Sequence, residues 1–185
     1  MTDNGAGVRT ESREDVSLTR TSLDSPVGEL VLVERGPEVH GIAFDGRWER
    51  LRVWLERRFS TIEWETVSSG PAAAALARYF DGELLALQDL DADPGGSPFQ
   101  REVWRILRTI GPGETWSYRD LAIALGRPTA TRAVAQANAV NPVPLVIPCH
   151  RVIGSNGSLT GFGGGLDRKR WLLRHEAGGV EFRLR

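Results

Sequence analysis

Cysteine, histidine and lysine are scarce in this chain of 185 residues, which contains one cysteine (Cys149), one lysine and three histidines. A single cysteine excludes an internal disulfide framework, a cysteine-rich zinc finger and an iron–sulfur cluster ligated by the chain alone. With His40, His150 and His175 as the only histidines, we expect no metal site and no cofactor. No apolar run approaches the ~18 residues of a membrane-spanning helix, and residues 1–20 contain no apolar signal core. The expectation is a cytoplasmic protein with no membrane partner.

The net charge is only −1, but the charges are unevenly divided along the chain. Residues 1–97 contain 10 basic and 18 acidic side chains, whereas residues 98–185 contain 13 basic and 6 acidic ones. This balance argues against a strongly basic nucleic-acid binder. It leaves the C-terminal half as the part that can face phosphates.

The first half of the chain has the pattern of a small α/β domain after a polar leader. Residues 1–20 are predicted to be a mobile leader, and residues 21–92 an N-terminal domain. The β-rich runs at 30–33 and 39–44 predict an antiparallel strand pair. Apolar residues then recur at helical spacing, at Trp48, Leu51, Leu55 and Phe59 and again at Leu76, Tyr79 and Phe80. The acidic, breaker-rich segment 89–96 (DLDADPGG) marks the domain boundary.

Residues 93–185 are predicted to form a mainly helical domain. Ser97-Pro98-Phe99-Gln100 is typical of a capping box and predicts a helix whose apolar face runs to Ile110. A second helix begins at Ser117, and a third, capped by Thr129, covers 130–140. The glycine and proline between these two short helices favour a helix-turn-helix, with an ordinary helical hairpin as the alternative. A last helix is predicted at 166–176.

The predicted third helix is lined with alanines, and Arg132 near its start is its one long side chain. Small side chains allow a helix backbone to approach another surface closely, including a DNA groove, and the helix N-terminus favours phosphate. Alanine is also the best helix former, so the same composition has a purely structural explanation.

Cys149 is the most chemically distinctive residue in the sequence. A lone cysteine is most often a small buried apolar side chain. Here it follows Pro148 and precedes His150 and Arg151, two groups that favour a thiolate. Adjacent residues do not face each other, so His150 would need a bridging water to take the thiol proton, and a carboxylate to hold its tautomer. Glu176 is the most plausible carboxylate, and Asp167 is the next candidate.

The segment Asn141 to Val152, NPVPLVIPCHRV, resembles the active-site signature of the O6-alkylguanine-DNA alkyltransferases, or methylated-DNA–protein-cysteine methyltransferases. The similarity extends without gaps from about Phe99 through Glu176, and residues 23–44 resemble the weaker N-terminal domain of the same family. The resemblance implies an RNase H-like α/β N-terminal domain with a small antiparallel sheet and helices. It also implies a mainly α C-terminal domain that carries a winged-helix-like helix-turn-helix.

The function that this resemblance implies is direct DNA repair. The alkyl group of O6-alkylguanine, and less so of O4-alkylthymine, would be transferred to Cys149 in a single turnover (EC 2.1.1.63). The base would be flipped out of the duplex, with the helix-turn-helix in the minor groove. The expected partner is double-stranded DNA. The protein would be a monomer in solution, associated with the nucleoid when bound, with cooperative assembly on DNA left open.

The resemblance also implies roles for individual residues. Cys149 would be the alkyl acceptor, His150 the base acting through water, Glu176 its orienting carboxylate and Asn141 the hinge. Tyr118 would donate to the flipped guanine, and the carbonyls of Cys149 and Val152 would bind its exocyclic amine. Two pocket residues depart from the common pattern: Phe162 stands where a tyrosine is common, and Gly163 where many relatives have serine. Arg132 would fill the vacated stack, and the further expected DNA contacts are Ser117, Arg119, Arg127, Ala130, Thr131, Ala133, Asn138, Arg151 and Ser155.

Three other functions compete with this hypothesis. A non-catalytic lesion binder of the same architecture would lack the acceptor cysteine, which is present here. A Cys-His hydrolase would form a thioester and turn over, but no oxyanion hole can be identified. A transcription regulator of this family would need a further cysteine cluster. Some relatives bind zinc through N-terminal cysteines and histidines, of which only His40 has a counterpart here, so no zinc is expected.

Overall fold

The computed structural model describes residues 13–178, and the first half of this range forms a four-stranded sheet with two helices. The elements in chain order are β1 (Val16–Leu23), β2 (Leu30–Arg35), β3 (Glu38–Phe44), α1 (Trp48–Arg58), β4 (Ile62–Thr66) and α2 (Pro71–Phe80). The strand order in the sheet is β3-β2-β1-β4. The predicted antiparallel pair is present as β2 and β3, with Leu30 opposite Phe44.

Two predictions about this half are wrong. The sheet is mixed rather than antiparallel, because β4 returns through α1 and pairs parallel to β1. Its residues are mostly exposed and show no alternation of buried positions, so the sequence carried little signal for this strand. The leader is also too long: residues 16–20 belong to β1, where buried Val16 and Leu18 alternate with exposed Ser17. Of the remaining leader residues, 13–15 belong to no helix or strand, and 1–12 lie outside the described range.

The second half is mainly helical, as predicted. It contains α3 (Pro98–Leu107), β5 (Trp116–Ser117), α4 (Tyr118–Ala124), α5 (Thr131–Ala139), a 3₁₀ turn (Cys149–Arg151), β6 (Val152–Ile153) and α6 (Leu166–Glu176). α4 and α5 pack against each other and against α3, joined by a turn in which Gly126 has φ +68°. β5 and β6 form a short parallel pair that connects the start of α4 to the end of the 3₁₀ turn.

The starts of these helices show which capping signals operate. Ser97 and Gln100 form the predicted capping box of α3. Ser117 and Asp120 form a second box, which explains why α4 begins at Tyr118. The predicted cap of the third helix is wrong: α5 begins one residue later than predicted, and its N-cap is Ala130, without a side-chain bond.

One hydrophobic core connects both halves of the chain. Buried residues of the sheet and α2, including Leu32 and Tyr79, belong to the same cluster as Trp104 of α3 and Leu172 of α6. Polar contacts also cross between the halves, since the backbone N–H of Ile42 donates to the Pro142 carbonyl over 2.8 Å. The N-terminal half therefore helps to position the segment that precedes Cys149.

Among the residues described, 13–178, no helix is long and apolar enough to cross a bilayer.

Candidate active site and DNA interface

Cys149 begins the 3₁₀ turn at the end of a segment held by Asn141. The Asn141 side-chain amide donates to the Ile147 carbonyl over 2.8 Å, and its carbonyl accepts from the Val143 N–H over 3.0 Å. Between these contacts the backbone reverses, and Leu145 has φ +76°. The prolines of this segment favour an extended chain, but the two hydrogen bonds of the Asn141 side chain hold the segment in a turn. Asn141 thus determines how the cysteine is presented.

The predicted pairing of His150 with Glu176 is present. His150 Nε2 lies 3.0 Å from Glu176 Oε1, and both side chains are fully buried. Because the carboxylate accepts from Nε2, the proton resides there and Nδ1 is left as the acceptor. Within residues 13–178, Nδ1 has no hydrogen-bond partner, so it makes no direct bond to Cys149. Burial lowers the pKa of His150, while Glu176 acts in the opposite direction. These directions favour the neutral imidazole.

Glu176 is the centre of a dense group of donors. The Arg151 guanidinium donates from Nε to Oε2 over 2.9 Å and from Nη2 to Oε1 over 2.7 Å. The Tyr79 hydroxyl donates to Oε1 over 2.8 Å, and the Gly113 N–H lies 3.4 Å from Oε2. Burial alone would raise the pKa of Glu176, but His150 and Arg151 hold it well below its ordinary value. The carboxylate is therefore a fixed negative charge.

The predicted DNA contact at Arg151 is wrong. The residue is 7% exposed, and besides Glu176 its guanidinium donates to the Ile110 carbonyl. All of its charge is directed into the protein, where Glu176 compensates it.

Cys149 is a thiol rather than a preformed thiolate in the free protein. Burial raises its pKa, while the Asn141 side chain and Lys169 lower it to a smaller extent. Neither sequence neighbour directs a positive charge at the sulfur: Arg151 is paired with Glu176, and burial lowers the pKa of His150.

Lys169 is a buried cation that the sequence reasoning missed. Its ammonium donates to the carbonyls of Val152 and Thr160, each over 2.6 Å. Burial lowers its pKa to about 8, and a negative charge on Cys149 acts in the opposite direction. The signal was available, because Lys169 is the only lysine among 23 basic residues. The Lys169 ammonium donates to the same Val152 carbonyl that was predicted to bind the exocyclic amine of the guanine.

A cavity of about 580 Å³ opens onto Cys149. Its walls come from the end of α5, the segment that follows Asn141, the glycine loop (residues 161–165), β3 and α1. The lining residues include Asn138, Asn141, Pro144, Phe162, Gly163, Arg50 and Trp54. Phe162 packs edge-on against His150 at 6.3 Å and Phe44 at 5.5 Å, between ring centres. A Cβ placed on Gly163 would meet no atom within 4 Å, so the site would also accept serine. The contribution of α1 was not predicted.

Tyr118, at the first position of α4, stands beside the glycine loop. Its hydroxyl donates to the Thr160 carbonyl over 3.3 Å. Burial raises the pKa of the phenol. The group is therefore a proton donor at neutral pH, as the predicted contact with guanine requires.

The residues predicted to bind DNA divide into two groups. The exposed or half-exposed ones follow α4, α5 and the turn after β6, and they are Arg119, Arg127, Ala130, Thr131, Arg132, Ala133 and Ser155. Arg127 is also paired with Glu102 at 3.2 Å. Ser117 and Asn138 are buried in the free protein, and their predicted DNA contacts stay predictions. Ser117 caps α4, and Asn138 donates to the Cys149 carbonyl over 3.4 Å.

One group within residues 13–178 has the composition of a cation site: Glu38, His40 and Asp93. An arginine already occupies its centre. Arg58 contacts His40 Nδ1 at 3.2 Å and also pairs with the Asp93 carboxylate. With Nδ1 accepting from Arg58, the proton of this buried imidazole is on Nε2, and both nitrogens are unsuited to a metal.

Comparisons with known proteins agree with this geometry. Residues 98–178 match the family described as 6-O-methylguanine DNA methyltransferase, DNA binding domain. A methylated-DNA–protein-cysteine methyltransferase of Salmonella typhimurium is 43% identical over 163 residues, covering 86% of this chain and 95% of that protein. One from Mycolicibacterium paratuberculosis is 46% identical over 159 residues, covering 84% and 90%.

Solved structures give the same result. The crystal structure of Mycobacterium tuberculosis OGT in complex with DNA superimposes with a TM-score of 0.74 at 37% identity, covering 88% of this chain and 95% of that one. The O6-methylguanine-DNA methyltransferase of Pyrococcus kodakaraensis gives a TM-score of 0.63 at 27% identity, covering 86% and 98%. The sequence, the fold and the Cys149–His150–Glu176 geometry together place this chain in the methylated-DNA–protein-cysteine methyltransferase family.

Proposed function

We propose that this protein repairs DNA by transferring the alkyl group of O6-alkylguanine, and less readily of O4-alkylthymine, to the sulfur of Cys149. The observation that carries the proposal is the arrangement of His150: Nε2 donates to the ionised Glu176, and Nδ1 is a buried acceptor without a protein partner in the described range. A buried acceptor of this kind is satisfied by water. That water would connect Nδ1 to the thiol.

The proposed reaction needs no cofactor. His150 Nδ1 takes the thiol proton through the water as the sulfur attacks the alkyl carbon. The S–C bond forms, the C–O6 bond breaks, and its electron pair passes to the guanine. Tyr118 donates a proton to the leaving base, and the proton released from Cys149 restores the phenol through solvent. The products are an S-alkyl cysteine and an unmodified guanine.

Access to the base requires extrusion from the duplex, at a cost of a few kcal/mol. The exposed side of α5 is formed by Arg132, Ala133, Gln136 and Ala139. Apart from the arginine and the glutamine, its side chains are the methyl groups of alanines. A surface of this kind fits a minor groove, whose limited sequence information suits a protein that must find damage in any context. Arg132 would occupy the space that the base leaves in the stack.

We further propose that each molecule reacts once. Regeneration would require water to displace a thiolate from an unactivated alkyl carbon, and none of the side chains lining the site is placed to activate that carbon. A hydrolase avoids this problem because its thioester has a carbonyl that water attacks. The single turnover therefore follows from the bond that is formed.

Intact-mass measurement tests the proposal. The protein is mixed with a duplex carrying one O6-methylguanine, and digestion locates the added mass. A gain of one methyl group on Cys149 is expected. Cys149→Ser should bind the duplex and gain nothing. Binding without mass gain by the wild-type protein would instead support a non-catalytic lesion binder.

A further inference from the structure

Tyr79 reaches the catalytic carboxylate from the N-terminal half of the chain. It lies on α2, its side chain is fully buried, and its hydroxyl donates to Glu176 Oε1 over 2.8 Å. Its ring packs edge-on against Phe80 at 5.3 Å and His175 at 5.2 Å, between ring centres. The ring contacts account for an aromatic residue here, but they do not account for a hydroxyl.

The Tyr79 hydroxyl contacts Glu176 Oε1, which is the carboxylate oxygen that also accepts from His150. Glu176 Oε1 accepts from Tyr79, from His150 Nε2 and from Arg151 Nη2, whereas Oε2 accepts from Arg151 Nε and the Gly113 N–H. Each donor draws negative charge away from the oxygen it contacts. Tyr79 therefore competes with His150 for the same oxygen, and the buried phenol is never the group that gives up its proton, since its pKa is raised well above 10.

We propose that Tyr79 is a positioning residue for alkyl transfer, whose hydroxyl fixes Glu176 Oε1 and limits how strongly the carboxylate increases the basicity of His150. This inference rests on the proposed function for its kinetic consequence, but the effect on His150 itself does not depend on that function.

Tyr79→Phe leaves the other titratable and charged groups around His150 unchanged. They are Glu176 and Lys169 of α6, Arg151 of the 3₁₀ turn and Cys149 beside it, with His175 on the far side of the Tyr79 ring. Tyr79→Phe keeps the ring contacts and removes one neutral donor from Oε1. The negative charge that faces Nε2 then increases, which favours the imidazolium form.

The experiment measures the single-turnover rate with free O6-benzylguanine against pH, together with the ¹⁵N titration of the His150 side chain. Tyr79→Phe should shift both midpoints upward by about half a unit, a fraction of what one hydrogen bond is worth. Site-specific 3-fluorotyrosine at position 79 should shift them downward, because fluorine acidifies the phenol and strengthens its donation. A purely structural role would not produce shifts of opposite sign.

The matched control is Thr21→Val, which removes another buried hydroxyl, one with no partner in the described range. It should leave both midpoints unchanged. Identical His150 titrations in the wild type, Tyr79→Phe and the fluorotyrosine protein would overturn the proposal, and the fluorotyrosine arm decides if the phenylalanine variant does not fold. Absence of transfer in the wild-type protein would refute the proposed function, while the ¹⁵N titration would still decide the role of Tyr79.

Discussion

Replacing Glu176 by glutamine tests the catalytic arrangement at its centre. The substitution keeps the shape of the side chain and removes a charge that His150, Arg151 and Tyr79 all contact. A glutamine amide can donate to His150 Nε2, which would move the imidazole proton to Nδ1. Nδ1 would then be a donor, and it would lose its capacity to accept the thiol proton.

Both stability and rate should fall. Removing one partner of a buried ion pair costs about 3–5 kcal/mol, out of about 5–15 kcal/mol in total for a typical domain. At about 2–4 °C per kcal/mol for a chain of this size, Tm should fall by about 6–20 °C. The loss of an oriented general base should slow transfer by about 10²–10⁴-fold at a temperature where the variant is folded.

The pH dependence of stability has a defined sign. The pKa of Glu176 is lowered in the folded protein from an ordinary value near 4.5, so its contribution is complete above that pH and is lost as the pH falls further. The stability difference between wild type and Glu176→Gln should therefore be large at pH 7 and narrow below about pH 4.5.

The assay is single-turnover transfer from O6-methylguanine duplex, followed by mass, beside thermal unfolding at pH 7 and pH 4. Asp167→Asn is the matched control, because this residue lies on the same helix, is fully exposed and pairs with Arg170 at the surface. It should change neither quantity measurably. Wild-type transfer by folded Glu176→Gln would show that His150 does not depend on Glu176, and the proposed mechanism would be wrong.

Three further predictions concern other parts of the molecule. Arg132→Ala should slow repair in duplex DNA by about tenfold or more and leave the reaction with free O6-benzylguanine unchanged, since only the duplex requires flipping. Arg105→Ala, at an exposed position on α3, is the control. Equal losses on both substrates would assign Arg132 to the pocket. Titration of damaged duplex should end at one equivalent per Cys149 without any added cofactor, and continued repair would revive the hydrolase hypothesis. Burial lowers the pKa of His40 from 6.5 to about 4, so the folded state loses up to about 3 kcal/mol as the pH falls between these values; unfolding of His40→Gln should lack this decline, and an unchanged decline would assign it elsewhere.

The features that local rules determine were predictable from the sequence. The capping box at Ser97, the glycine-terminated α4 and the last helix from Leu166 to Glu176 each have a signal within a few residues. The pairing of His150 with Glu176 was predictable for a different reason, because a resemblance over Phe99–Glu176 carried the long-range contact that no spacing rule contains.

The errors have a common physical origin in burial. The resemblance implied a DNA contact for Arg151, and only the fold shows that Glu176 accepts its charge. The burial of Ser117 and Asn138 was not predicted either: Ser117 contacts the backbone N–H and the carboxylate of Asp120, and Asn138 donates to the Cys149 carbonyl. β4 was missed because the strand lies at the edge of its sheet with most of its residues exposed.

Because α1 contributes a wall of the cavity, the shape of the cavity depends on residues other than those that contact the sulfur. The sulfur, its base and its carboxylate all come from the C-terminal half, whereas Arg50 and Trp54 shape the outer part of the space in front of them. Substitutions on this helix can widen, narrow or recharge the entrance without altering any group that handles a proton. Under the proposed function, substitutions on α1 would change which alkyl adducts enter the cavity and leave the reactivity of Cys149 unchanged.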